Sequence, residues 1–178
     1  MNTRIVIIGI SGSGKSYLAK SLSKIYSIPI IHLDQLFWMP GGFNEKRSKD
    51  EVQRQAELNR KEDSWIAEGV FGELVELFLS RTQMLVYLDL DWPTCQTRLK
   101  TRGSESSRQL DPTKAEENFR HLLLWATQYW TRTDLRSHTG HLRLFNDFAR
   151  LKLRFTTPAE VDEFIGQQKT ETKRLRGL

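Results

Sequence analysis

The chain has little of what marks a secreted, zinc-binding or membrane protein. Its 178 residues hold one cysteine, Cys95, so no internal disulfide can form. Four histidines show no zinc-ligand spacing, and His121, His138 and His141 each read as surface residues. No apolar run approaches the roughly 20 residues that cross a bilayer. The N-terminus lacks the charged, apolar and small-residue succession of a signal peptide, so a cytoplasmic location is expected. Neither an internal repeat nor a low-complexity segment is present. With 38% hydrophobic and 28% charged residues, the chain reads as one globular domain over residues 1–178.

The net charge of +5 suits either a surface that attracts polyanions or a pocket of arginines for phosphate. Lys169, Lys173, Arg174 and Arg176 place part of it in the tail, which reads as a solvated, fraying terminus rather than a nucleic-acid arm.

Against these absences stands Gly9-Ile10-Ser11-Gly12-Ser13-Gly14-Lys15-Ser16, directly behind the apolar run Ile5-Val6-Ile7-Ile8. It fits the phosphate-binding pattern G-x-x-x-x-G-K-[ST] in its context of strand, turn and helix. The glycines let the backbone curl so that successive N–H groups converge on a polyphosphate, and the next helix adds its positive N-terminus. Lys15 then reaches the β- and γ-phosphates, and the Ser16 hydroxyl is placed to ligate Mg2+. Gly9, Ser11, Gly12, Ser13, Gly14, Lys15, Ser16 and Tyr17 are the expected nucleotide-binding residues, with ATP and Mg2+ as cofactors.

Ile5 to Ile8 suits a central strand of a parallel sheet covered on both faces. Lys15 to Ser27 carries Leu18, Leu22 and Ile25 at helical spacing, and residues 28–33 read as a second strand. Asp34 stands at its carboxyl end, the edge where open α/β sheets bind ligands. There it either serves chemistry, holding metal or accepting a hydroxyl proton, or caps the next turn. Phe37, Trp38 and Phe43 surround Pro40-Gly41-Gly42, as one wall of an acceptor pocket or as packing under the loop. Residues 45–63 are strongly charged and suit an exposed helix set apart from the main core, within a mobile flap over about 35–63.

Ser64 to Ala67 reads as a third strand ending in Glu68-Gly69. Glu68 either orients the water shell of Mg2+ or belongs to an ordinary strand-to-helix turn. Residues 74–79 form a helix, Met84 to Leu88 a fourth strand, and Asp91 caps a helix starting near Thr94. Arg98 and Arg102 share one face of that helix, aimed at phosphate or a base, or simply solvated. The polar stretch Gly103 to Arg108 forms a short lid over about 102–114 and carries a third arginine. Residues 114–133 form a long amphipathic helix packed on the sheet, residues 151–155 alternate as an edge-like fifth strand, and a last helix turns Val161, Phe164 and Ile165 inward. Strands alternating with helices behind a phosphate loop make a three-layer α/β/α sheet.

Beyond the loop, the stretches His32-Leu33-Asp34-Gln35-Leu36-Phe37-Trp38-Met39-Pro40-Gly41, Trp65-Ile66-Ala67-Glu68-Gly69 and Arg98-Leu99-Lys100-Thr101-Arg102 carry a resemblance, as does the ending from Leu153 to Phe164. With them the chain resembles the small P-loop kinases related to adenylate kinase, and among those the bacterial proteins labelled DNA topology modulation proteins. The resemblance implies the P-loop NTPase fold of nucleoside and nucleotide kinases, with a five-stranded parallel sheet ordered 2-3-1-4-5, an acceptor flap and a lid. It implies Lys15 on the phosphates, Ser16 on Mg2+, Arg98 near the adenine and Arg102 toward the phosphates. Lys15, Asp34, Arg98 and Arg102 are then the catalytic candidates, and Ser16, Asp34 and Glu68 the metal candidates. One departure stands out: adenylate kinases follow Asp-Gly with an arginine that holds the monophosphate acceptor, whereas Glu68-Gly69 leads to Val70-Phe71-Gly72. Asp34 is similar in placement to the acid of shikimate-type kinases, which address a hydroxyl. The expected function is an ATP- and Mg2+-dependent phosphotransferase acting on a small-molecule acceptor. A regulatory protein that binds ATP and acts on DNA or a protein partner, with little kinase activity, is the alternative; no DNA-reading motif accompanies it.

Overall fold

β1 (Arg4–Gly9) pairs in parallel with β3 (Trp65–Gly69) on one side and β4 (Met84–Leu88) on the other. β2 (Ile30–His32) and β5 (Leu151–Phe155) complete a five-stranded parallel sheet of order β2-β3-β1-β4-β5, the order expected. The computed structural model describes residues 2–40, 43–104, 111–175 and 177. Gly41, Gly42, Arg176 and most of the expected lid, with its Arg108, lie outside the described residues.

Alternation along β1 sends Ile5 and Ile7 into one core and Val6 and Ile8 into the other. α1 (Lys15–Tyr26) and α8 (Pro158–Leu175) cover the first through Leu18, Leu22, Val161 and Phe164. α4 (Gly72–Leu79) and α7 (His138–Asp147) cover the second through Leu74, Val75, Phe78 and Leu144. Each such burial contributes about 1.5–3 kcal/mol, so the two cores, more than helix propensity, fix the layers. α2 (Leu33–Phe37), α3 (Lys49–Arg60), α5 (Trp92–Arg102) and α6 (Pro112–Thr127) complete the helices among the described residues. None of these helices is long and apolar enough to cross a membrane.

Local chemistry sets several boundaries. Asp91 caps α5 as expected, accepting the Thr94 N–H at 2.7 Å with Pro93 in the first turn. Ser48 does the same for α3, accepting from Glu51 N at 3.2 Å. Lys152 Nζ donates to the carbonyls of Phe145 and Asn146 at 2.9 and 2.8 Å, so a β5 cation closes the negative end of α7.

Four expectations need correction, and one helix, α7, was not expected at all. α3 is not set apart: Val52 and Ala56 are buried in the second core, although Leu58 is exposed. α6 ends at Thr127 rather than Thr133 and packs on α5; Leu124 is 66% exposed, so only part of its apolar pattern is used. The basic tail is helical to Leu175, not frayed. α7 had no counterpart in the sequence reading. His141 on that helix is buried rather than a surface residue, lying between the Tyr129 hydroxyl at 2.7 Å and the Val70 carbonyl at 3.0 Å.

Candidate active site

The glycine loop is shaped by what packs against it. Gly12 and Gly14 adopt φ values of +86° and +100°. A Cβ at Gly12 would strike the Cys95 carbonyl, and one at Gly14 would lie 3.1 Å from the Arg98 guanidinium, so α5 rests directly on the loop. Arg98 Nη1 donates to the Ser13 carbonyl at 3.0 Å, which fixes this arginine at the loop. Ser13 Oγ is buried without a hydrogen-bond partner, and Gly14 at the N-cap of α1 offers no side chain to the helix's first N–H groups. Both features suit an oxygen-rich anion. Lys15 Nζ donates to the Ile10 carbonyl at 2.9 Å; burial lowers its pKa, with Glu68 and Asp34 acting the other way. Tyr17 is exposed beside the loop, its hydroxyl donating to Asp162 Oδ1 of α8 at 3.0 Å.

Sheet register brings the acids to the loop. Glu68 pairs with Ile7 of β1 on one side and His32 of β2 on the other, at the carboxyl edge. Its Oε1 accepts the Ser16 hydroxyl at 3.0 Å and lies 2.6 Å from His32 Nδ1. Burial raises the Glu68 pKa, but the His32 hydrogen bond, Lys15 and Ser16 outweigh it and the net shift is downward, so this acid stays ionised. His32 is shifted upward, chiefly by the same hydrogen bond.

Asp34 lies in the first turn of α2, whose N-cap is His32, so it is not the cap of that turn. Its Oδ1 is buried without a hydrogen-bond partner. Burial, then the Glu68 charge, pushes its pKa up to about 6 against the pull of Lys15, His32 and Arg102. Arg102 is thus within the field of both Asp34 and Lys15.

Ser16, Glu68 and Asp34 offer hard oxygen donors of the kind Mg2+ takes. Among the described residues no group of three or more His, Cys, Asp or Glu is placed to hold a metal ion by itself.

Two residues without a distinctive sequence signal border the site region: His32, which meets Glu68, and an arginine beyond α6. Arg136, between α6 and α7, lies over the rings of Phe37 and Phe71 at 4.7 and 4.5 Å, and those rings stack at 4.4 Å. Trp38 meets Phe37 edge-on at 5.0 Å and Phe43 at 6.0 Å, so the three aromatics after Asp34 form one cluster, with Phe37 and Trp38 packed against the second core. A groove lined by Glu76, Arg143 and Arg150 among others contains none of these residues.

Comparison with solved structures matches this architecture. A gluconokinase from Sinorhizobium meliloti 1021 aligns over 98% of this chain and 93% of its own, at 15% identity and a TM-score of 0.53. A shikimate kinase from Bacteroides thetaiotaomicron aligns over 99% of both chains at 15% identity, with a TM-score of 0.47. At such identity the likeness to the gluconokinase concerns the fold alone. No curated protein matches the chain. The model of the family described as AAA domain matches residues 5–120, from β1 through the loop, Asp34, Glu68 and both α5 arginines, and the chain belongs to that family.

Proposed function

We propose that the protein is an ATP- and Mg2+-dependent phosphotransferase of the nucleoside and nucleotide kinase, adenylate-kinase-like type, passing the γ-phosphoryl group to a small acceptor. The observation that carries this is Asp34: a buried carboxylate with an unpartnered oxygen, shifted up to about 6, at the sheet edge that holds Lys15 and the Ser16–Glu68 pair. Such a group is poised as a general base for an acceptor hydroxyl at neutral pH.

The contacts support the following roles. Lys15 exchanges the Ile10 carbonyl for phosphate oxygens, and the loop N–H groups with Ser13 Oγ complete the cradle. Ser16 and Glu68 hold Mg2+, with Asp34 alongside; the ion supplies charge neutralisation on the phosphates. Arg98 borders the donor base together with Tyr17, and Arg102 faces the phosphates. Asp34 takes the acceptor's hydroxyl proton as the phosphoryl group leaves the bridging oxygen of ATP for the acceptor oxygen. Residues 35–63 act as the acceptor flap and about 102–114 as the lid of a single cytoplasmic domain. The segment 32–41 supports kinship with the bacterial proteins labelled DNA topology modulation proteins, without requiring DNA as a partner.

An ATP-coupled screen of nucleosides, nucleoside monophosphates and small alcohols, each against the ATPase background, tests this. Acceptor-dependent ADP release that disappears in Asp34→Asn is expected. ATP binding with no acceptor-dependent turnover across the screen would count against it and favour a regulatory nucleotide-binding role.

A further inference from the structure

The ladder between β1 and β3 ends at the Ile8–Gly69 pair, so the carbonyl of Val70 lies beyond strand pairing. It is met instead from α7, where His141 Nε2 sits 3.0 Å away, and both residues are buried. On its other flank the turn has no slack: a Cβ at Gly69 would lie 2.8 Å from Leu33 Cβ. One imidazole therefore pins the turn that directly follows Glu68.

That imidazole is held by a buried chain of its own. His141 Nδ1 lies 2.7 Å from the Tyr129 hydroxyl, which lies 3.1 Å from the Tyr87 hydroxyl, and Tyr87 reaches Asp89 Oδ1 at 3.0 Å. From Asp89 to Val70 the chain has four links, and both ends, a carboxylate and a carbonyl, only accept. Burial disfavours the cationic ring, so two hydroxyls and a neutral imidazole bring three protons to those links. The Val70 carbonyl claims the Nε2 proton, Tyr129 must then donate to Nδ1, and Tyr87 is left to serve either Tyr129 or Asp89. Asp89 already accepts Arg154 Nε at 2.9 Å and lies 3.2 Å from His138 Nε2. The shortfall thus falls on Tyr87, whereas the direction from Tyr129 through His141 to Val70 is fixed.

Resting on the phosphotransferase reading above, we infer that Tyr129 and His141 are positioning residues for Glu68. They act through the Gly69–Val70 turn, setting where the carboxylate stands at the Ser16 hydroxyl and so how well that pair takes Mg2+. Tyr87, although buried in the same chain, is dispensable for this task.

The test measures binding of a non-hydrolysable ATP analogue to the full chain, without metal and across a Mg2+ titration, at a temperature where each variant is folded. Tyr129→Phe keeps the ring and loses the donor to Nδ1. It should raise the half-saturating Mg2+ concentration by about threefold to tenfold, less than the loss typical when a metal ligand's own partner is removed, with metal-free affinity unchanged. His141→Leu should do the same. His141→Gln, whose amide both accepts and donates, should recover most of the wild-type value. Tyr87→Phe should keep the wild-type Mg2+ dependence. A merely structural chain would lower Tm in these variants without moving that dependence. Such a result in Tyr129→Phe, or an equal loss in Tyr87→Phe, overturns the inference, whether or not His141→Leu folds. If wild type itself shows no Mg2+-dependent binding of the analogue, the phosphotransferase reading fails and the inference falls with it.

Discussion

His32 Nδ1 lies 2.6 Å from Glu68 Oε1 on paired positions of β2 and β3, and the same oxygen accepts the Ser16 hydroxyl at 3.0 Å. The histidine thereby orients the acid that faces the expected metal, a role whose loss typically costs about 10–100-fold in metal affinity. His32→Ala should raise the Mg2+ concentration needed for binding of a nucleotide analogue by about tenfold, and His32→Gln, which keeps a donor, by less. An unchanged Mg2+ dependence in His32→Ala would show that Glu68 needs no such support.

Asp34 makes stability fall as pH rises. Its folded pKa of about 6 lies above the ordinary 3.8, so between those values the folded state binds more protons than the unfolded. Its favourable contribution is full below pH 3.8 and is lost by the time pH passes 6. From pH 4 to 7, Asp34→Asn should gain about 2–3 kcal/mol of urea-unfolding stability relative to wild type, and any cost of burying the amide cancels in that difference. Turnover in wild type should rise through about pH 6 as the base ionises. Parallel stability profiles in the two proteins would refute the shift.

His141 acts with the opposite sign. A carbonyl can only accept, so Nε2–H donates to Val70 O and Nδ1 takes the Tyr129 hydroxyl, which makes the buried ring a neutral tautomer. Burial lowers its pKa to about 3 from 6.5, so the unfolded chain binds the extra proton and stability is lost as pH falls through that window. His141→Gln should flatten acid unfolding by upward of about 2 kcal/mol between pH 6.5 and 4. Because Asp34 and His141 oppose each other over nearly the same range, wild type should show a shallow profile that each single variant tilts in a different direction. Two variants tilting the same way would be incompatible with these assignments.

What could be read from the sequence was local. The loop, the acids at 34 and 68 and the arginines of α5 lie within short segments whose spacing reflects one strand end or one helix face. β1 was legible because a strand buried on both faces needs an unbroken apolar run. α7 was not: it is short, includes Gly140 and two histidines, and forms because Leu144 and Phe148 pack on the sheet. Arg136 looked like any polar-loop arginine, since only tertiary packing brings it over Phe37 and Phe71. His141 looked exposed for the same reason, its partners being a tyrosine beyond α6 and a carbonyl beyond β3.

Lys15 separates function from stability most cleanly. Its ammonium is buried, and burial disfavours its charged form, so replacing it with an apolar chain of similar length removes a cost rather than a support. The Ile10 carbonyl it now occupies also accepts the Ser13 N–H at 3.2 Å, and therefore stays hydrogen-bonded in Lys15→Met. Glu68 loses a nearby positive charge but keeps His32 and Ser16. Lys15→Met should therefore unfold at the same temperature or slightly higher, while nucleotide turnover falls by about a hundredfold or more, the usual penalty for removing a group that meets transition-state charge. Calorimetry and single-turnover ADP release on the same preparation check both halves. A variant that loses stability in step with turnover would make Lys15 a structural residue, and the loop would then lack its phosphate ligand.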